Sequence, residues 1–121
     1  MDTITVGKIE ADFADLIWDL EPVSSGDLVK VASEKLGWKK STTYTVLRRL
    51  TEKGIFKSEN ALVTHVLTKD EFYALQSEQF VENSFKGSLP AFVAAFSSRK
   101  NLSEKDIREL REIIDRISPL E

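Results

Sequence analysis

A chain of 121 residues has room for one domain of ordinary size, or for a small domain with an appendage. Its apolar fraction of 41% argues against disorder, and no apolar run approaches membrane-spanning length. The absence of cysteine excludes disulfides and thiolate metal sites; with no secretory leader evident, we expect a cytoplasmic protein with no membrane insertion.

The net charge of −3 conceals a polarised distribution. Up to Glu34 the chain carries Asp2, Glu10, Asp12, Asp15, Asp19, Glu21, Asp27 and Glu34 against Lys8 and Lys30. From Lys35 to Lys57 the sign inverts: Lys35, Lys39, Lys40, Arg48, Arg49, Lys53 and Lys57 face the single acid Glu52. A uniformly acidic surface would repel nucleic acid, but a local basic patch is where a polyanion lands.

In chain order, Gly7 to Leu20 reads as an amphipathic helix with Ile9, Phe13, Leu16, Ile17 and Leu20 as its apolar stripe. Glu21-Pro22 ends it, because the residue before proline is driven out of the helical region. Ser24, with Asp27 three residues on, starts a second helix that buries Leu28, Val31, Ala32 and Leu36 and stops at Gly37. The third helix starts near Lys40 and stops at Gly54, with Val46, Leu47 and Leu50 inside. Ile55-Phe56 and Leu62, Val63, Val66 and Leu67 then read as two strands around a turn at Glu59-Asn60.

Thr68-Lys69-Asp70-Glu71 is a capping box, so a long helix follows, marked by Phe72, Leu75, Gln79, Phe80 and Phe85 and closed by Gly87. Ser88-Leu89-Pro90 opens another, with Leu89, Phe92, Val93 and Phe96 inside. Ser103 caps the last, where Leu102 is placed to staple onto Ile107 and Ile107, Leu110, Ile114 and Ile117 repeat at threes and fours.

The expected fold is mainly α with a small β-wing: a winged helix-turn-helix over residues 1–70, then a helical dimerisation region over residues 71–121. The third helix is the one that such a fold presents to the major groove. Small hydroxyl residues near its start let its free N–H groups approach phosphates, and its arginines reach phosphate or guanine edges. We therefore take Lys39, Lys40, Ser41, Thr42, Tyr44, Thr45, Arg48, Arg49, Lys53 and Lys57 as candidate contacts to double-stranded DNA. The plainer reading of the same helix is a solvated basic face.

The last region is too short to build a self-sufficient core easily, yet carries Phe80, Phe85, Phe92, Phe96, Ile107, Leu110, Ile114 and Ile117. Another copy of the chain is expected to cover them, giving a homodimer; the competing reading folds the tail back on the winged helix. Cofactors and metals are not expected. His65 is the only histidine, and Asp12, Asp15 and Asp19 read as solvated surface. Trp18 and Trp38 read as packing aromatics, and nothing supplies a nucleophile, base or phosphate loop for an enzyme.

Trp38 followed by Thr42-x-x-Thr45-x-Leu47-x-Arg49-Leu50-x-x-Lys53-Gly54 resembles the BlaI/MecI penicillinase-repressor family of bacterial winged-helix regulators. Ile17-Trp18 and the tail string Leu102-Ser103-x-x-Asp106-Ile107-x-Glu109-Leu110 extend the resemblance over nearly the whole chain. The resemblance implies a homodimeric transcriptional repressor on a palindromic operator. It also implies a membrane sensor protease as a partner, which triggers cleavage at an Asn-Phe bond in the C-terminal region. The aligning pair here is Ala95-Phe96, without the asparagine. The copper-sensing branch of the family uses C-terminal cysteines, which this chain lacks. The alternative left open is a winged-helix protein-protein interaction module without DNA binding, motivated by the acidic first helix.

Overall fold

The computed structural model describes residues 4–119. The chain divides into two compact units, Met1–Gln79 and Phe80–Glu121. The elements are α1 (Lys8–Leu20), β1 (Val23–Ser24), α2 (Ser25–Leu36), α3 (Lys40–Glu52), β2 (Phe56–Glu59), β3 (Leu62–His65), α4 (Lys69–Phe85), α5 (Leu89–Arg99) and α6 (Glu104–Arg116). This is the expected winged helix with a helical C-terminal region.

In the first unit, local signals set the boundaries. Glu21 turns extended before Pro22 and ends α1. Ser24 caps α2 by accepting from the N–H of Asp27 at 3.0 Å. Gly37 closes α2 at φ 69°, a left-handed conformation that costs glycine little. Thr68 and Glu71 form the reciprocal box: the Thr68 N–H donates to the Glu71 carboxylate at 2.9 Å, and the Glu71 N–H to the Thr68 hydroxyl at 3.1 Å. The bond from the Thr68 backbone, then that from its side chain, holds the Glu71 carboxyl below its ordinary pKa.

The core draws Phe13, Ala14 and Ile17 from α1, Leu28 and Ala32 from α2, and Val46, Leu47 and Leu50 from α3. Val23, Ile55, Phe56 and Val63 close it from the sheet side and Phe72 from α4. Trp18 meets Phe56 and Phe72 at tilted angles, with ring centroids 5.1 and 5.4 Å away, and its indole N–H donates to the Leu67 carbonyl at 3.0 Å. Trp38 packs on Phe13 at 5.0 Å. Both tryptophans are packing aromatics.

In the first unit, four details depart from the sequence reading. Ile9 (64% exposed) and Leu20 (40%) lie outside the α1 stripe, because the core reaches only the middle turns of that helix. The sheet has three strands, in the order β1-β3-β2 and antiparallel throughout; Val23 and Ser24 pair with Val63 and Leu62. Val66 and Leu67 leave the sheet, and their N–H groups donate instead to the Ile55 carbonyl at 2.8 and 3.1 Å. The wing turn is Asn60-Ala61, not Glu59-Asn60.

Both turn residues have positive φ, 54° and 61°, as a tight hairpin turn demands. Asparagine tolerates this; alanine is strained by it. Ala61→Gly is therefore expected to stabilise the fold by about 0.5–1 kcal/mol. Urea unfolding would register this as a higher midpoint at unchanged slope.

In the second unit, Ser88 and Ser103 cap α5 and α6 by accepting from the N–H groups of Ala91 (3.1 Å) and Asp106 (3.0 Å). Phe80, Phe85, Phe92 and Phe96 form a chain of rings, with neighbouring centroids 5.5–6.2 Å apart. No residue of α5 or α6 is fully buried. Phe80 (52% exposed), Phe96 (48%) and Ile114 (64%) stay open to solvent. Phe96, Leu102, Asp106, Glu109, Leu110 and Ile113 line a groove. Ile117 departs from the expected repeat: α6 ends at Arg116 and Ile117 is an extended cap, two residues before Pro119.

Candidate nucleic-acid interface

One face of α3 is fixed in the core by Thr43, Val46, Leu47 and Leu50. Thr43 is fully buried, and its hydroxyl donates to the Lys39 carbonyl at 3.3 Å. That anchor leaves Lys39, Lys40, Ser41, Thr42, Tyr44, Arg48 and Arg49 exposed, with Thr45 half-buried between the faces. At its start α3 has Lys39 and no side-chain cap, so the first-turn N–H groups are not occupied by a capping oxygen.

The candidate residues are not equivalent. Arg49 has no ion-pair partner among the described residues, whereas the Arg48 guanidinium lies 3.9 Å from Glu52, both well solvated. The Lys40 ammonium lies 6.0 Å from the centre of the Tyr44 ring. The Thr45 hydroxyl donates to the Ser41 carbonyl at 2.9 Å, so its proton is committed within the helix. Lys57, on β2, is exposed and 3.7 Å from Glu59.

Lys53 stands apart. It caps the C-terminus of α3 and is bound at 2.5 Å to Glu10 of α1, and both side chains are largely covered. Its charge is paired within the protein. The partner is 43 residues away and nothing in the local sequence announces it.

Two further acids of α1 carry lysine partners, in more exposed pairs. Beyond the Glu10 pair, Asp12 meets Lys8 at 3.2 Å and Asp15 meets Lys69 at 3.4 Å. The Tyr73 hydroxyl donates to Asp15 at 3.4 Å; burial, then the charge of Asp15, raises the phenol above its ordinary pKa. His65 lies on β3, where its backbone N–H and ring Nδ1 both engage Glu21, at 2.9 and 2.6 Å.

A helical trio, a short antiparallel wing and a third helix with one face in the core and a cationic, hydroxyl-bearing face outside define a winged helix-turn-helix protein. The profile of the penicillinase repressor family matches residues 6–116, and the chain belongs to that family.

The methicillin resistance regulatory protein MecI of Staphylococcus aureus strain Mu50 is 24% identical over 118 residues, spanning 94% of this chain and 96% of that protein. The penicillinase repressor of Staphylococcus aureus is 26% identical over 119 residues, covering 95% and 94% respectively. An uncharacterized 16.5 kDa protein from the region 3′ of ptsI in Latilactobacillus sakei is 27% identical over 117 residues, 93% of this chain and 80% of that one.

Proposed function

We propose that this chain is a transcriptional repressor that binds a palindromic DNA operator as a homodimer, with α3 in the major groove. Residues 1–70 form the DNA-binding part and residues 71–121 the dimerisation part. The observation that carries this reading is the exposed face of α3. Lys39 and Lys40 flank Ser41 and Thr42 at an uncapped helix start, and Arg48 and Arg49 lie two turns further on, as phosphate and base-edge contact requires. Tyr44 adds an apolar surface for a sugar or a thymine methyl. Arg49 is the strongest candidate for a base contact. Lys53 serves through its bond to Glu10 more than through DNA, and Lys57 adds a phosphate contact from the wing.

The open apolar surface of the second unit supports the homodimer. Phe80, Phe96, Leu110 and Ile114 are each more than a third exposed, which a stable interface between copies would cover. Two-fold symmetry would then present two copies of α3 about 34 Å apart, one turn of DNA. The repressor names of the relatives agree with this reading. The covered Lys53–Glu10 pair weakens the case for a protein-binding module without DNA affinity, since Glu10 does not present free negative charge. Cleavage at Ala95–Phe96 by a membrane sensor protease would need α5 to open. The Phe96 carbonyl accepts from the Lys100 N–H at 3.1 Å, and the Ala95 carbonyl from the Ser98 hydroxyl at 2.7 Å.

Selection of bound sequences from random duplexes, followed by titration of the winner across salt concentrations, tests the proposal. Steep loss of affinity with salt and a palindromic consensus are expected. Binding that ignores salt, or no enriched sequence, overturns it.

A further inference from the structure

Lys53 follows Leu50 by three residues, and so lies on the side of α3 that Val46, Leu47 and Leu50 turn to the core. Its ammonium meets the Glu10 carboxylate at 2.5 Å, with the two side chains 31% and 16% exposed, too covered to serve a ligand outside. Glu10 stands in the first turn of α1, and Lys53 caps the C-terminus of α3. Each charge therefore sits at the helix end whose dipole favours it, an anion at an N-terminus and a cation at a C-terminus.

The buried stripe of α3 ends at Leu50. Beyond it the chain passes Gly54, at φ 80°, and enters the wing through Ile55 and Phe56, both buried. The Glu10–Lys53 pair lies at this junction, where α3 hands over to β2. Apolar burial is non-directional and leaves a helix some freedom to roll about its axis. A charge-assisted hydrogen bond at the last turn has a direction and removes that freedom.

We propose that Glu10 is a positioning residue for DNA recognition: through Lys53 it sets the roll of α3 and the place where the wing begins, so that Arg49, Ser41 and Thr42 reach one half-site together. This rests on the DNA-binding reading above and on the first unit alone. Net electrostatics predicts that removing an acid beside a DNA-binding helix tightens binding. The positioning role predicts the opposite.

Titration of Glu10→Gln, Lys53→Met and Lys53→Arg with the selected duplex and with random DNA, across salt concentrations, separates the two. Glu10→Gln is expected to lose about tenfold in affinity for the selected duplex, as a misplaced base contact would, and to lose nothing on random DNA. Lys53→Met should match it at an unchanged salt slope, and the double variant should lose no more than either single one. Lys53→Arg keeps the pair and should bind as the unaltered protein does. A direct phosphate contact by Lys53 gives the reverse: Glu10→Gln frees the cation and tightens binding, and Lys53→Met lowers the salt slope by about one. That result overturns the proposal. So do equal losses on selected and random DNA, which a merely weakened fold would give, and a Glu10→Gln variant indistinguishable from the unaltered protein. Should Glu10→Gln not fold, Glu10→Asp, which draws the carboxylate back from Lys53, is put to the same comparison and the same outcomes decide. If the unaltered protein enriches no sequence, the DNA-binding reading fails, and the positioning role fails with it.

Discussion

Arg49→Ala is expected to weaken duplex binding by about 1–3 kcal/mol, roughly a tenfold to hundredfold loss, if its guanidinium meets a guanine edge. The expectation is sharper for Arg49 than for its neighbour. Arg49 is exposed, and no carboxylate among the described residues competes for it. Arg48 has the Glu52 carboxylate 3.9 Å away on the same helix, a solvated neighbour that Arg49 lacks among the described residues. Fluorescence anisotropy on the selected duplex at fixed salt distinguishes two outcomes. A base contact lowers affinity for the selected sequence more than for random DNA. A phosphate contact lowers both alike and reduces the salt slope by about one. Stability should not move, because Arg49 makes no packing contact in the core.

Leu110→Asp combined with Ile114→Asp is expected to split the dimer. These residues sit four apart on one face of α6, both more than a third exposed, in a helix with no buried residue of its own. Two carboxylates on a surface that a partner must desolvate cost far more than they do in water. Sedimentation should then show a single copy, while the first unit keeps its melting transition, since neither residue belongs to its core. Operator affinity should fall by about two orders of magnitude or more, because the second half-site would no longer be delivered at high effective concentration. A variant that stays dimeric would place the interface elsewhere.

Much of this molecule is written in local signals. Ser24, Thr68, Ser88 and Ser103 each announce a helix, because a hydroxyl that accepts from an N–H three residues on is a short-range event. Gly37 and Gly54 announce the stops. Val46, Leu47 and Leu50 fix which side of α3 faces inward, and so which side carries Arg48 and Arg49 outward. The order of the helices follows from these alone.

What the sequence hides is set by distant partners. The strand β1 has two residues, too few for any alternation to register. Ile9 and Leu20 fit the helical period but lie where the core does not reach. Thr43 looks like one more hydroxyl of the basic helix, yet it is buried and bonded to Lys39. Lys53 looks like a free cation until Glu10 is brought beside it. The hydrogen bonds from the Gln76 and Gln79 side-chain amides to the Ile4 backbone join residues more than seventy positions apart, and only the folded chain displays them.

The central claim is that two copies of this chain deliver two α3 helices to one duplex. Sedimentation of the protein with its selected duplex, at low and at high salt, tests that most directly. The account predicts two chains per duplex at low salt and dissociation as salt rises. One chain per duplex, or a complex indifferent to salt, would contradict it.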